Sequence, residues 1–193
     1  MRNFVRSIVL SEPVLAEPLE DANAAYDKED YVTALRLFRP LAEQGDTRAQ
    51  FMLGGMYSSG QGVPLDYAKA VKWFRLAADQ GYDEAQSRLG AMYNIGQGVP
   101  QDYAQAVKWY RLAADRGYAR AQSRLGFMYS LGHGVPKDYV QAVKWFNLSA
   151  ARASADEKDV RDHAAKALDE LASMMTPAQV AEAQKRASAW KPK

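Results

Sequence analysis

The chain has 193 residues, 48% apolar and 25% charged, which suits one globular domain or one small array and not a disordered segment. Lys and Arg number 25 against 23 Asp and Glu, and a net charge of +2 is too small for a strongly basic nucleic-acid protein. Having no cysteine excludes disulfides, thiolate zinc sites and cysteine nucleophiles, two histidines leave little imidazole chemistry, and no stretch approaches the ~18 unbroken apolar residues of a membrane helix.

The opening MRNFVRSIVLSEPVLAEP carries partial marks of an export signal. Arg2 and Arg6 supply a basic start, and Val14-Leu15-Ala16 has the small-residue spacing of a cleavage site before Glu17. Arg6, Glu12 and Pro13 interrupt the apolar run of about 7–15 residues that such a signal needs. Two readings stay open for residues 1–16: an incomplete signal on an exported or periplasmic protein, and a disordered leader on a cytoplasmic one.

Beyond Glu17 the chain is periodic. Three blocks starting at Ala49, Ala85 and Ala121 repeat at 36 residues. The first reads AQFMLGGMYSSGQGVPLDYAKAVKWFRLAADQGYDE, and the others differ from it at a minority of positions. A period of this size predicts a solenoid of stacked supersecondary units. Residues 17–48 form a degenerate first repeat: Tyr31, Ala34 and Phe38 stand 36 residues before Tyr67, Ala70 and Phe74. This copy lacks the GQGVP loop and joins its helices through Asp27-Lys28-Glu29-Asp30.

Within each block (49–84, 85–120, 121–156) two helical patterns flank a Gly-Pro loop. Ala49, Leu53, Met56 and Tyr57 make one apolar stripe at helical spacing. Gly60 sits where a left-handed C-terminal cap belongs, Pro64 prevents continuation, and Asp66 is placed to cap the second helix. That helix turns Tyr67, Ala70, Val71, Phe74, Ala77 and Ala78 to one side and Lys72, Arg75 and Asp79 to water, and Gly81 ends it. Trp73, Trp109 and Trp145 recur just off the buried stripe, where a side chain covers the seam with an adjacent repeat. Gly54, Gly90 and Gly126 recur mid-helix, where glycine costs about 1 kcal/mol relative to alanine. Three repetitions predict a contact too close for a β-carbon.

The remainder, 157–193, is expected to cap the array with a helix from Glu157 to Met175 and a last one from about Ala178 to Ala189, started by Thr176-Pro177. A polar terminal unit keeps a stacked array soluble.

The pattern AQxxLGxMYxxGxGVPxDYxxAVKWxxLAAxxG resembles the Sel-one-like repeat of the tetratricopeptide superfamily. The similarity extends over residues 17–156, and MTPAQVAEAQKRASAWKPK resembles the C-terminal helix of bacterial members. The resemblance implies an all-α fold, a right-handed superhelix of antiparallel helix pairs whose first helices line a concave face. It also implies a general role as adaptor or scaffold for other proteins.

Positions constant between copies serve packing, and positions that change are free for another use. In the first helices the changing positions include Arg48, Phe51, Met52, Gly55, Ser58 and Ser59; Glu84, Ser87, Arg88, Ala91, Asn94 and Ile95; and Arg120, Ser123, Arg124, Phe127, Ser130 and Leu131. Most share a face opposite the leucine stripe. Its arginines and apolar spots suit a protein or peptide with acidic groups and apolar anchors; the alternative is a solvated face that merely tolerates variation. Tyr26 and Asp27 would extend this groove.

Catalytic readings are weaker. His133 replaces a loop glutamine, so it reads as a solvent-exposed substitution, and His163 has Asp159 four residues earlier as a local partner. The GQGVP loops lack the Lys-Ser/Thr of a phosphate cradle. Ser188-Ala189-Trp190-Lys191 matches S-x-x-K without the companion motifs of penicillin-recognising enzymes. The expectation is a monomeric, non-catalytic protein with no cofactor, no metal, no nucleic acid and no membrane insertion. The alternative is weak β-lactam binding or β-lactamase-like activity, as described for cysteine-rich secreted relatives; the lack of cysteine weakens it.

Overall fold

The computed structural model describes residues 18–193. The export-signal reading of residues 1–16 lies outside them. Among the described residues the secondary structure is entirely helical: α1 (Pro18–Asp27), α2 (Tyr31–Glu43), α3 (Thr47–Ser59), α4 (Tyr67–Asp79), α5 (Asp83–Ile95), α6 (Tyr103–Asp115), α7 (Ala119–Leu131), α8 (Tyr139–Arg152), α9 (Lys158–Ala172) and α10 (Pro177–Ser188). Each helix from α1 to α8 packs against the next, in sequential antiparallel pairs.

Local chemistry sets the boundaries. Asp66, Asp102 and Asp138 each accept a hydrogen bond from the backbone N–H three residues on, at 2.9–3.0 Å, which satisfies an orphan donor of α4, α6 and α8. At the other end, Gly60, Gly96 and Gly132 adopt the left-handed conformation and close α3, α5 and α7. Thr176 and Gln179 form a capping box at the start of α10.

Repeat-to-repeat packing accounts for the constant residues. A β-carbon at Gly98 (φ +73°) would lie 2.4 Å from the Tyr67 carbonyl oxygen, so the loop after α5 leans on the start of α4. Trp73 packs in the cluster of α1–α3, Trp109 in that of α4 and α5, and Trp145 in that of α6 and α7. Each tryptophan thus reaches back to the preceding pair, as its off-stripe position predicts. Gln50, Gln86 and Gln122 are buried, and each donates its side-chain amide to the carbonyl of Ala42, Ala78 or Ala114 at 3.1 Å. That bond ties each first helix to the end of the helix before it. Arg75 and Arg111 are only partly a solvated face: each donates to the hydroxyl of a tyrosine on the following helix, Tyr93 and Tyr129.

The C-terminal region departs from a simple cap. Val160, Ala164 and Ala167 stand 39 residues after Ala121, Leu125 and Met128, and all are buried, so α9 behaves as the first helix of a further half repeat shifted by three residues. It ends at Ala172, three residues before the expected Met175. α10 does not pair with α9 but lies on the outer side of α8. There it covers Leu148, 6% exposed, whereas Leu112 at the same register of α6 is 43% exposed. Trp190 meets Trp145 edge-on at 6.3 Å and carries the Arg152 guanidinium over its ring at 4.5 Å. Lys193 pairs with Asp115 at 2.7 Å, which ties the tail to the end of α6.

Candidate binding groove

Opposite that outer side, α3, α5, α7 and α9 present one face with three hollows. The first, of about 330 Å³, lies between α5 and α7 at their N-terminal halves and is lined by Phe51, Glu84, Ser87, Arg88, Arg120 and Arg124 among others. The second, of about 550 Å³, lies toward the C-terminal halves, with Asn94, Ile95, Arg124, Phe127, Met128 and Leu131 in its walls. The third, of about 260 Å³, lies between α7 and α9, where Arg120, Ser123, Arg124 and Phe127 face Asp159 and His163. Arg124 borders all three.

The variable positions separate into three groups. Arg48, Arg88 and Arg124 are exposed, and among the described residues no carboxylate lies within 4.0 Å of any of them. Ile95 and Leu131 are each 59% exposed, and Phe127, whose ring meets Phe146 edge-on at 4.9 Å, keeps 38% of its surface in water. Asn94 and Glu84 are half-buried in the walls.

A second group is drawn into packing, against expectation. Phe51 sits against Phe74 at 5.6 Å and Tyr82 at 5.2 Å, because its α3 register faces the seam with the next pair. Met52 packs on the cluster of α1–α3. Ser87 and Ser123 are buried and form the floor of the hollows, not their rim. Tyr26 turns into the first core, edge-on to Tyr31 at 5.3 Å, with its hydroxyl donating to Gln61. It does not extend the groove.

Arg120 is a third case. Its guanidinium is held by Asp159 of α9 at 3.0 Å and by Glu157, the residue just before α9, at 3.5 Å, so its charge is already answered. Asp159 therefore serves Arg120 and not His163. His133 is likewise no free loop residue: its ring stacks on Tyr103 at 4.3 Å and helps to wall the second hollow. The contribution of α9 was hidden in the sequence by its three-residue shift of register. Tyr103, Tyr110 and Met128 are constant or nearly so between copies, so variation does not mark them as lining the face.

Electrostatics on this face are uneven. Burial, then the Glu84 charge, pushes the Tyr118 hydroxyl up, and burial pushes Tyr110 up to about 12, so both are neutral at physiological pH. Among the described residues no three His, Asp or Glu side chains cluster as metal ligands would. Arg88 and Arg124, without carboxylate partners among the described residues, stand beside a shallow apolar surface.

Residues 25–46, 47–82, 83–118 and 119–154 match the Sel1 repeat family. The chain is 34% identical to a protective antigen of uropathogenic Escherichia coli strains that displays an SLR fold, with a TM-score of 0.73 over 89% of this chain and 37% of that one. It thus spans little more than a third of the antigen's length. A Sel1 repeat protein from Oxalobacter formigenes is 37% identical, with a TM-score of 0.59, over 69% of this chain and 95% of its own. No curated protein shows a significant match.

Proposed function

The chain belongs to the Sel1 repeat family, and from that premise we propose that it is a non-catalytic adaptor that holds a protein or peptide on the concave face formed by α3, α5, α7 and α9. One observation carries the reading: Arg124, exposed and without a carboxylate partner among the described residues, borders three adjoining hollows on that face. Exposed aliphatic and aromatic side chains beside it supply apolar area, and arginine is among the residues that most often carry interface energy. The family's repeats stack to bury a continuous core, which leaves the changing positions free for recognition.

The test is site-specific photocrosslinking in the native host. A photoreactive residue at Phe127 should give a discrete protein adduct, and one at Lys72, on the opposite face, should give none. Adducts formed equally from both positions, or from Lys72 alone, would contradict the reading. So would β-lactam turnover by the purified chain that a substitution on this face abolishes.

A further inference from the structure

Resting on the concave-face reading, we infer that the valley between α5 and α7 recognises an extended peptide by two side chains on a fixed spacing: a carboxylate held by Arg88 and Arg124, and an apolar side chain three residues away seated against Ile95, Phe127 and Leu131.

The charge argument is local. Arg88 and Arg124 hold the same register one repeat apart and line the same hollow, where Glu84 is the one acid among the described residues of the wall. Neither has a carboxylate within 4.0 Å among the described residues, whereas the neighbouring Arg120 is occupied by α9. Two uncommitted guanidinium forks facing one hollow suit a carboxylate, which each can grip through paired N–H donors.

The apolar half stands beside it. Ile95 and Leu131 occupy the register that Ser59 holds in α3, and Phe127 the register of Gly55 and Ala91. Apolar bulk therefore appears at these places only in the second and third full copies. It converges on one hollow, with Arg124 as the shared wall between the charged and apolar halves.

The spacing follows from helix geometry. Arg88 and Ile95 lie seven residues apart on α5, and Arg124 and Leu131 seven apart on α7. At 1.5 Å per residue that is roughly 10 Å along each axis. A polyproline-II segment advances about 3.1 Å per residue with three residues per turn, so residues i and i+3 share a face roughly 9 Å apart. An acidic residue and an apolar residue at that separation, in a strand lying along the valley, would meet the two halves together. A helical ligand would need a separation of seven residues instead.

The chain itself supplies conservative test substitutions, since Met52 stands at the register of Arg88 and Arg124, and Ser59 at that of Ile95 and Leu131. A random dodecapeptide library would be selected on the full chain, and the enriched sequence would be labelled for fluorescence anisotropy. Enrichment of an acid three residues from an apolar side chain is expected. Affinity should fall at least tenfold in Arg88→Met/Arg124→Met, at least tenfold in Ile95→Ser/Leu131→Ser, and similarly when the peptide spacing is changed to one. Enriched peptides without an acid, or with acid and apolar residue seven apart, or binding untouched by the arginine pair but lost in the serine pair, would overturn this rule while leaving the concave face as a binding surface. Binding lost only when the opposite face is altered, as in Leu112→Asp, would overturn both.

Discussion

Gly54 in α3 faces the ring of Phe74 in α4 so closely that an added β-carbon would lie 2.6 Å from Cδ1. The next residue, Gly55, has open space around the same position. Adjacent glycines therefore have opposite consequences. Gly54→Ala should destabilise the fold by about 1–3 kcal/mol through overpacking. Gly55→Ala should stabilise it by about 0.5–1 kcal/mol through helix propensity alone. Denaturant titration of the two variants checks the sign of each.

Trp109 is buried in the cluster formed by α4 and α5, not in that of its own helix pair alone. Trp109→Ala should cost about 3–5 kcal/mol, because it empties a seam between repeats in the middle of the array. A loss below about 1 kcal/mol would show that the seam closes without it.

Tyr110 makes the fold sensitive to alkali. Its hydroxyl titrates near 10 when unfolded and at about 12 when buried. Its contribution is complete below about pH 10 and is lost as the pH rises to about 12, a fall of about 2–3 kcal/mol. Tyr82 and Tyr118, both raised first by burial, add to the same slope. Since Phe74 and Phe146 occupy the same register, Tyr110→Phe should leave neutral stability nearly unchanged and flatten the decline above pH 10. Urea unfolding at stepped pH measures both.

Trp190 fastens α10 to the array through Trp145 and Arg152. Trp190→Ala should lower stability by about 1–2 kcal/mol, the sum expected for one aromatic pair and one cation–π contact. Trp145 should also become more exposed, read as a red shift in tryptophan fluorescence.

Much of this architecture was legible in the residues, because repetition turns weak local preferences into strong ones. Asp66, Gly60 and Gly54 each say little alone, but three copies of each mark a cap, a left-handed close and a tight contact. The tryptophan seams could be inferred in the same way. The groove was less legible. Variation between copies picked out the face that bears the three hollows, but it could not separate Arg88, which has no carboxylate partner among the described residues, from Arg120, which Asp159 and Glu157 neutralise. Nor could it show that Phe51 turns into a seam: a position can vary because its packing neighbour also changes, as Phe74, Tyr110 and Phe146 do. The seat of α10 on α8 depends on long-range shape, since Leu76, Leu112 and Leu148 look alike in sequence and only the last is covered.

The central claim is that the face bearing Arg88 and Arg124 holds a partner protein. It is tested most directly by repeating the Phe127 photocrosslinking in Arg88→Glu/Arg124→Glu, with thermal unfolding followed by circular dichroism on the same preparation. The account predicts that the adduct disappears while the melting temperature stays within a few degrees of the parent chain. An adduct of undiminished yield in a normally folded double variant would contradict it.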